Sequence, residues 1–215
     1  IKKTVMRGAA VPSATLIPPQ VKGYAADLAT RFPYDVEAAK KLLADAGYGA
    51  GFEVKLNCPN DRYVNDGEIC QAVAANLSKI GVKVNLEAET KGTYFPKVLS
   101  RNTSFYMLGW TSSTGDAHNV LYPIMSSPGD GGRGQFNLGA YSNPKVDDLT
   151  TKLASEIDQT KRDAMIREAI KIHQDDVGHL PLHQQALSWG SKKSVEVVQY
   201  PDNYMPWKFI KVNKA

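Results

Sequence analysis

The stretch that decides the fold runs Phe52-Glu53-Val54-Lys55-Leu56-Asn57 and, after an intervening segment, Val82-Lys83-Val84-Asn85-Leu86-Glu87-Ala88. In both runs apolar residues alternate with polar ones, the pattern of a half-buried strand. Between them a polar loop, Pro59-Asn60-Asp61-Arg62-Tyr63-Val64-Asn65, leads to a helical pattern. Its apolar face is Ile69, Ala72, Val73, Leu77 and Ile80, and Gly81 stops it. Strand, helix and strand within about forty residues predict a βαβ unit with parallel strands. A third strand is expected over Phe105 to Trp110, after another short helical stretch. Together they argue for an open α/β sheet rather than a sandwich or a helix bundle.

Upstream, Asp35 is placed to cap a helix that turns Ala39, Leu42, Leu43 and Ala46 to one face and ends at Gly47. Residues 8 to 33 carry Pro12, Pro18, Pro19 and Pro33 and are expected to be extended and irregular rather than a packed element. Downstream, Thr111 to Asn119 is polar and turn-rich, and Gly129 to Gly134 reads as a flexible surface loop. One helix is expected from Asn143-Pro144, turning Val146, Leu149, Leu153 and Ile157 inward. Another is expected from Thr160, with Asp163 as its capping-box acid and Ile166, Ala169, Ile170 and His173 inward. Short β-like runs follow at Leu180 to Trp189 and Val195 to Tyr200. The tail Tyr204-Met205-Pro206-Trp207-Lys208-Phe209-Ile210 is aromatic and has no clear companion element, which suggests packing against something outside this sequence.

With 215 residues, 42% hydrophobic and 22% charged, the chain is of ordinary globular composition. Its formal charge of +4 spreads 26 basic residues among 22 acidic ones, without a basic block interleaved with aromatics. No nucleic-acid partner is expected. No run approaches the ~20 apolar residues of a membrane helix. The opening Ile1-Lys2-Lys3-Thr4-Val5-Met6 lacks the apolar core of a signal peptide, and residue 1 is not Met. The sequence is therefore expected to begin inside a longer protein or after processing. Cys58 and Cys70 stand twelve positions apart, compatible with a disulfide in an oxidising compartment or with two reduced thiols.

Catalytic patterns are absent. There is no GxSxG elbow, no phosphate-binding glycine loop after a strand, and no HExxH among His173, His179 and His183. His173 lies on the apolar face of its helix and reads as a core histidine. Asp147-Asp148 and Asp175-Asp176 read as surface charges. No metal site, cofactor or enzymatic activity is expected.

The order of several short words carries a resemblance. Tyr34-Asp35-Val36-Glu37-Ala38-Ala39-Lys40-Lys41-Leu42-Leu43-Ala44-Asp45-Ala46-Gly47-Tyr48 with Gly51-Phe52, then Ile80-Gly81-Val82-Lys83-Val84, Gly109-Trp110, Tyr141-Ser142-Asn143-Pro144-Lys145-Val146-Asp147 and Leu180-Pro181-Leu182 fall in sequence along the chain. The set resembles the family-5 extracellular solute-binding proteins, the dipeptide-, oligopeptide-, nickel- and opine-binding components of ABC importers. The resemblance implies the C-terminal lobe of a two-lobed clamp: a periplasmic binding protein-like II lobe, with an open mixed, mainly parallel sheet flanked by helices. It implies a link from an upstream N-terminal lobe over residues 1–33, the ligand-binding lobe over 34–190 and a return segment over 191–215. It further implies a small peptide-like solute, an ABC permease in the inner membrane as partner, and a periplasmic or lipid-anchored extracellular location. A ligand-sensing chemoreceptor adaptor and, less so, an α/β hydrolase fragment are the alternatives.

Ligands of open α/β sheets sit outside the carboxyl ends of the strands. The expected ligand-binding residues are therefore Trp110, Thr111, Ser112, Ser113, Asp116, His118 and Asn119, with Arg62 from the loop after the first strand. Trp110 suits a cleft wall or core packing; Asp116 suits ligand contact or a helix cap. His118 reads as a polar loop residue, and Arg62 as a carboxylate receptor or a solvated cation. The resemblance implies an ammonium-binding Asp three places after the Trp. Ser113 stands there instead and cannot supply a charge-assisted bond. That departure leaves modified peptides, opines, sugars or metal chelates open.

Overall fold

The computed structural model describes residues 1–213. Its centre is the expected βαβ unit. β1 (Ala10–Pro12) and α1 (Val36–Asp45) precede β2 (Phe52–Pro59), α2 (Asp66–Ser78) and β3 (Val82–Glu89). β2 and β3 run parallel, in register from Phe52 opposite Val82 to Pro59 opposite Glu89. Gly51 makes that register possible at the strand starts. It has φ +77°, and a Cβ there would stand 2.0 Å from the Gly81 carbonyl oxygen. Leu56, Cys58 and Cys70 pack beneath the strands with Val73, Val84, Leu86 and Phe105.

The third strand is shorter than Phe105 to Trp110. Asn57 N–H donates to the Phe105 carbonyl (2.9 Å) and Met107 N–H donates to the Asn57 carbonyl (3.1 Å), a parallel bridge centred on Tyr106. Beyond Met107 the chain leaves the sheet, and Gly109 comes so close to the Tyr63 ring that a Cβ there would meet it. The sheet order is thus β3, β2, then the 105–107 bridge. α3 (Lys91–Leu99) covers one face near the strand ends, burying Tyr94 and Val98.

A second core is helical. A short turn, α4 (His118–Val120), runs into a wider helical turn, Leu121–Met125, and packs with α5 (Pro144–Leu153) and α6 (Gln159–Asp175). α5 starts as expected, with Asn143 capping and Pro144 in the first turn. α6 starts earlier than expected. Its cap is Asp158, which accepts from Lys161 N–H, while Asp163 accepts from the Gln159 side chain. Ile157, expected inward, is 94% exposed because α5 has already ended at Leu153.

Three further expectations need correction. Residues 8 to 33 are irregular, but they are packed: Ala10, Ile17 and Val21 are buried, Ile17 and Val21 in the helical core. The prolines prevent regular structure without preventing burial of the apolar residues between them. The Gly129–Gly134 loop is tied down, since Gly134 N–H donates to the Tyr122 carbonyl and its Cα is walled in by backbone from Ser126 to Pro128. On the apolar face of α1, Ala39 and Leu43 are partly buried but Leu42 is 69% exposed, so among the described residues that face is only partly covered. The aromatic tail, residues 204–210, contributes no strand itself, and the pairings near it lie outside it. β4 (His183–Gln185) pairs antiparallel with β1, and β5 (Val195–Glu196) with β6 (Lys211–Val212), just after the turn Trp207–Phe209. Trp207 and Tyr204 remain exposed. Residues 214 and 215, the end of the segment read as a return, lie outside the described residues.

Cys58 and Cys70 form a disulfide that joins the end of β2 to the second turn of α2. The closed loop contains residues 59 to 69, including Arg62 and Tyr63. Closing so short a loop limits the unfolded chain by about 3 kcal/mol at most. Reduction, or Cys58→Ser with Cys70→Ser, is expected to lower the unfolding free energy by about 2 kcal/mol, measured by urea titration. An unchanged midpoint would contradict this.

Candidate functional site

The loop after β2 is held from below by one buried carboxylate. Asp66, at the start of α2, accepts from the backbone N–H groups of Arg62 (2.8 Å) and Tyr63 (2.9 Å) through Oδ2 and of Gly67 (3.0 Å) through Oδ1. Beside it, Asp61 accepts from Lys91 N–H (2.6 Å) and so fastens the same loop to the start of α3. The loop therefore presents Arg62 and Tyr63 in one arrangement. The Arg62 guanidinium lies over the Tyr63 ring at 4.9 Å, and the Tyr63 hydroxyl donates to the Gly109 carbonyl (3.3 Å). Burial raises the Tyr63 pKa, so the hydroxyl stays a donor.

Gly109 joins this wall to the next. Trp110, 36% exposed, donates from its indole N–H to the Asn119 carbonyl (2.9 Å) and packs on Phe136 at 4.8 Å. One side of the ring is thus packed while the residue stays accessible at the carboxyl end of the bridge strand. Asn119 also accepts through Oδ1 from Ser113 N–H (2.9 Å). The buried Ser112 hydroxyl donates to the Asp116 carbonyl (3.1 Å). Thr111 is exposed. The 115–117 stretch is tied to the irregular N-terminal segment, because Lys22 N–H donates to the Gly115 carbonyl and Ala117 N–H to the Lys22 carbonyl.

Asp116 is engaged on two sides. Its Oδ1 accepts from His118 N–H (2.8 Å), a local cap, and both oxygens accept from Arg162 Nη2 at 3.0 Å. His118 turns away from the loop, its Nε2 lying 3.1 Å from the Thr150 carbonyl and its ring stacked on Tyr122. Residues 110 to 119 therefore form one hydrogen-bonded unit, with Arg62 brought to it through Tyr63 and Gly109. Asp66, Tyr63 and Arg162 build this geometry and were not singled out by sequence. The Asp at a helix start directly after a polar loop was a readable signal for Asp66. Nothing local links Arg162 to Asp116, which is forty-six residues away.

Among the described residues no cluster of His, Cys, Asp or Glu could hold a metal ion. No described helix is long and apolar enough to cross a membrane. The arrangement sets the Tyr63 and Trp110 rings, with the Arg62 cation, beside the carboxyl ends of the parallel strands.

The α/β lobe has the fold of the periplasmic binding proteins. The family model for bacterial extracellular solute-binding proteins, family 5 Middle, matches residues 1–132, and the chain belongs to that family. It is 26% identical to heme-binding protein A of Haemophilus influenzae over 213 residues, 95% of this chain and 37% of that protein. It is 27% identical to the dipeptide-binding protein of Escherichia coli, over 91% of this chain and 37% of that one. The solved structure of HbpA2 from Haemophilus parasuis superposes with a TM-score of 0.80 at 25% identity, covering all of this chain and 42% of that one. The Helicobacter pylori binding protein DppA, solved with the peptide STSA, superposes at 0.82 with 23% identity over 99% of this chain and 41% of that one, a likeness of fold. The chain thus spans under half the length of these relatives.

Proposed function

We propose that this chain is one lobe of the solute-capturing component of an ABC-type importer that delivers peptides or peptide-like solutes to a permease in the inner membrane. In this reading residues 34–190 form the ligand-facing lobe, 1–33 link it to an N-terminal lobe, and 191–215 return toward that lobe. The protein works in the periplasm or lipid-anchored outside the cell. The family match is the observation that carries the reading. The half-exposed Trp110, backed by Phe136 and joined through Gly109 to Tyr63 and Arg62, supports it. A rigid aromatic wall with a planar cation beside it suits a peptide-like solute, whose amide planes stack and whose carboxylate fits a guanidinium fork.

In the proposed site Trp110, Thr111, Ser113 and Arg62 touch the solute, while Ser112, Asp116, His118 and Asn119 hold the loop in shape. The test uses the full-length gene product that carries this chain. Mass spectrometry identifies the solute that co-purifies, and calorimetric titration measures its return to the stripped protein. Trp110→Ala should weaken that binding at least tenfold, the loss of an aromatic contact, with circular dichroism showing the protein still folded. A full-length protein that carries and binds no solute would overturn the reading.

A further inference from the structure

Asp66 is a carboxylate only 3% exposed, and among the described residues its partners are backbone N–H groups rather than a cation. Their direction is informative. The side chain of an ordinary helix cap reaches forward, to the second or third N–H of its helix. Asp66 reaches back, three residues to Tyr63 and four to Arg62, so what it chiefly holds is the loop before α2. The neighbouring positions are fastened separately. Val64 N–H donates to Gln185 Oε1 on β4 (3.3 Å), Asn65 donates from its amide to the Val5 carbonyl (2.8 Å), and the Cys58–Cys70 bond closes the segment from behind. Arg62 is the exposed cation of this loop, and its guanidinium meets the Tyr63 ring and, among the described residues, no carboxylate within ion-pair distance.

We propose that Asp66 is the positioning residue for Arg62 and through it sets the affinity for the carboxylate of the solute. The role rests on Arg62 being a solute contact. A charged acceptor makes each hydrogen bond roughly twice as strong as a neutral one. Two such bonds on consecutive residues keep the loop in the one arrangement that lays Arg62 over Tyr63. Without them that arrangement is held by a fraction of the molecules, and the apparent affinity falls by the same fraction. Asp66→Asn keeps the size of the side chain but puts an amide N–H where an oxygen accepted.

The test has two arms, both on the full-length protein. Hydrogen exchange, read by mass spectrometry, should speed up at least tenfold over residues 60–65 in Asp66→Asn, with β2 and β3 unchanged. Calorimetric titration uses the solute that co-purifies, extracted and identified by mass spectrometry. Asp66→Asn should weaken its binding about tenfold, yet less than twofold when added to Arg62→Ala, because the residue acts through Arg62. A general fault in packing would weaken binding equally in both backgrounds. Asp66→Ser, too short to reach residues 62 and 63, should repeat both results. Unchanged exchange over 60–65, or an equal loss of binding in the two backgrounds, overturns the proposal. So does an Arg62→Ala protein that binds as tightly as the unaltered one, although the protein then remains a solute receptor. A protein that carries and binds no solute overturns that function and this role with it.

Discussion

Between pH 6.5 and 5 the protein should lose stability on the order of a few kcal/mol, above the range where its surface carboxylates titrate. The cause is a buried histidine, His173, and a partly buried one, His179, that together tether the end of α6 to the chain leading into β4. His173 Nε2 and His179 Nδ1 are 2.8 Å apart with their rings stacked, and Tyr141 stands edge-on to His173. Burial is the first cause that lowers the His173 pKa to about 3, and His179 adds to it, while Asp176 opposes. Burial also lowers His179 to about 4. Asp176 is the carboxylate facing the pair, and it is occupied by the Tyr141 hydroxyl (2.7 Å) and the Asn143 amide (2.8 Å). It is therefore poorly placed to rescue an imidazolium.

The sign follows from the direction of the shift. Both histidines take up protons near pH 6.5 in the unfolded chain, but in the folded one only near pH 3 to 4. Their contribution is fully present above pH 6.5 and falls steadily as pH drops through that window. Carboxylates lowered by their partners, such as Glu53 and Glu87, act in a lower window, below the ordinary carboxylate range. Urea unfolding at several pH values from 7.5 to 4 should show the midpoint falling, and the fall should shrink in His173→Gln and in His179→Gln. A midpoint flat between pH 6.5 and 4.5 would refute the assignment.

The contrast between these features shows what sequence could and could not carry. The parallel unit was legible because both determinants are local: alternation over Phe52–Asn57 and Val82–Ala88, and glycines at the strand starts. His173 was readable as a core residue from helical period alone. Its partner was not, because His179 lies past the helix end, where no periodicity constrains direction. The third strand is shorter than the run of apolar residues predicts, because such a run does not say how far its backbone pairs, and here only Phe105 and Met107 bond to Asn57. The inward faces of α1 and Ile157 were over-read for the converse reason, since amphipathicity marks a face and not its cover. Asp116 was legible as a cap through His118 N–H, which is local, and illegible as an ion-pair partner, which is not.

That ion pair carries the second large effect. Arg162 and Asp116 are only 16% and 26% exposed, and the guanidinium also donates from Nη1 to the carbonyls of Leu153 (2.6 Å) and Glu156 (3.1 Å). Arg162→Met leaves a half-buried carboxylate and two carbonyls without their donor, and should cost about 3–5 kcal/mol. Removing the acid as well, with Asp116→Leu, should recover a substantial part, since the residual penalty is then confined to the two carbonyls and the lost cap. A double-mutant cycle by urea unfolding reads the coupling directly, and a coupling near zero would contradict the brace. The consequence for binding is sharper. Ser113 is neutral, and the one acid of the 110–119 loop is saturated by Arg162, so this wall holds no spare negative charge for a ligand ammonium. If the solute recovered from the full-length protein is a peptide, blocking its amino group by acetylation should therefore change its affinity less than about threefold, where loss of a charge-assisted bond would cost tenfold or more. If acetylation abolishes binding, Asp116 must exchange Arg162 for the ligand, and the brace becomes the anchor.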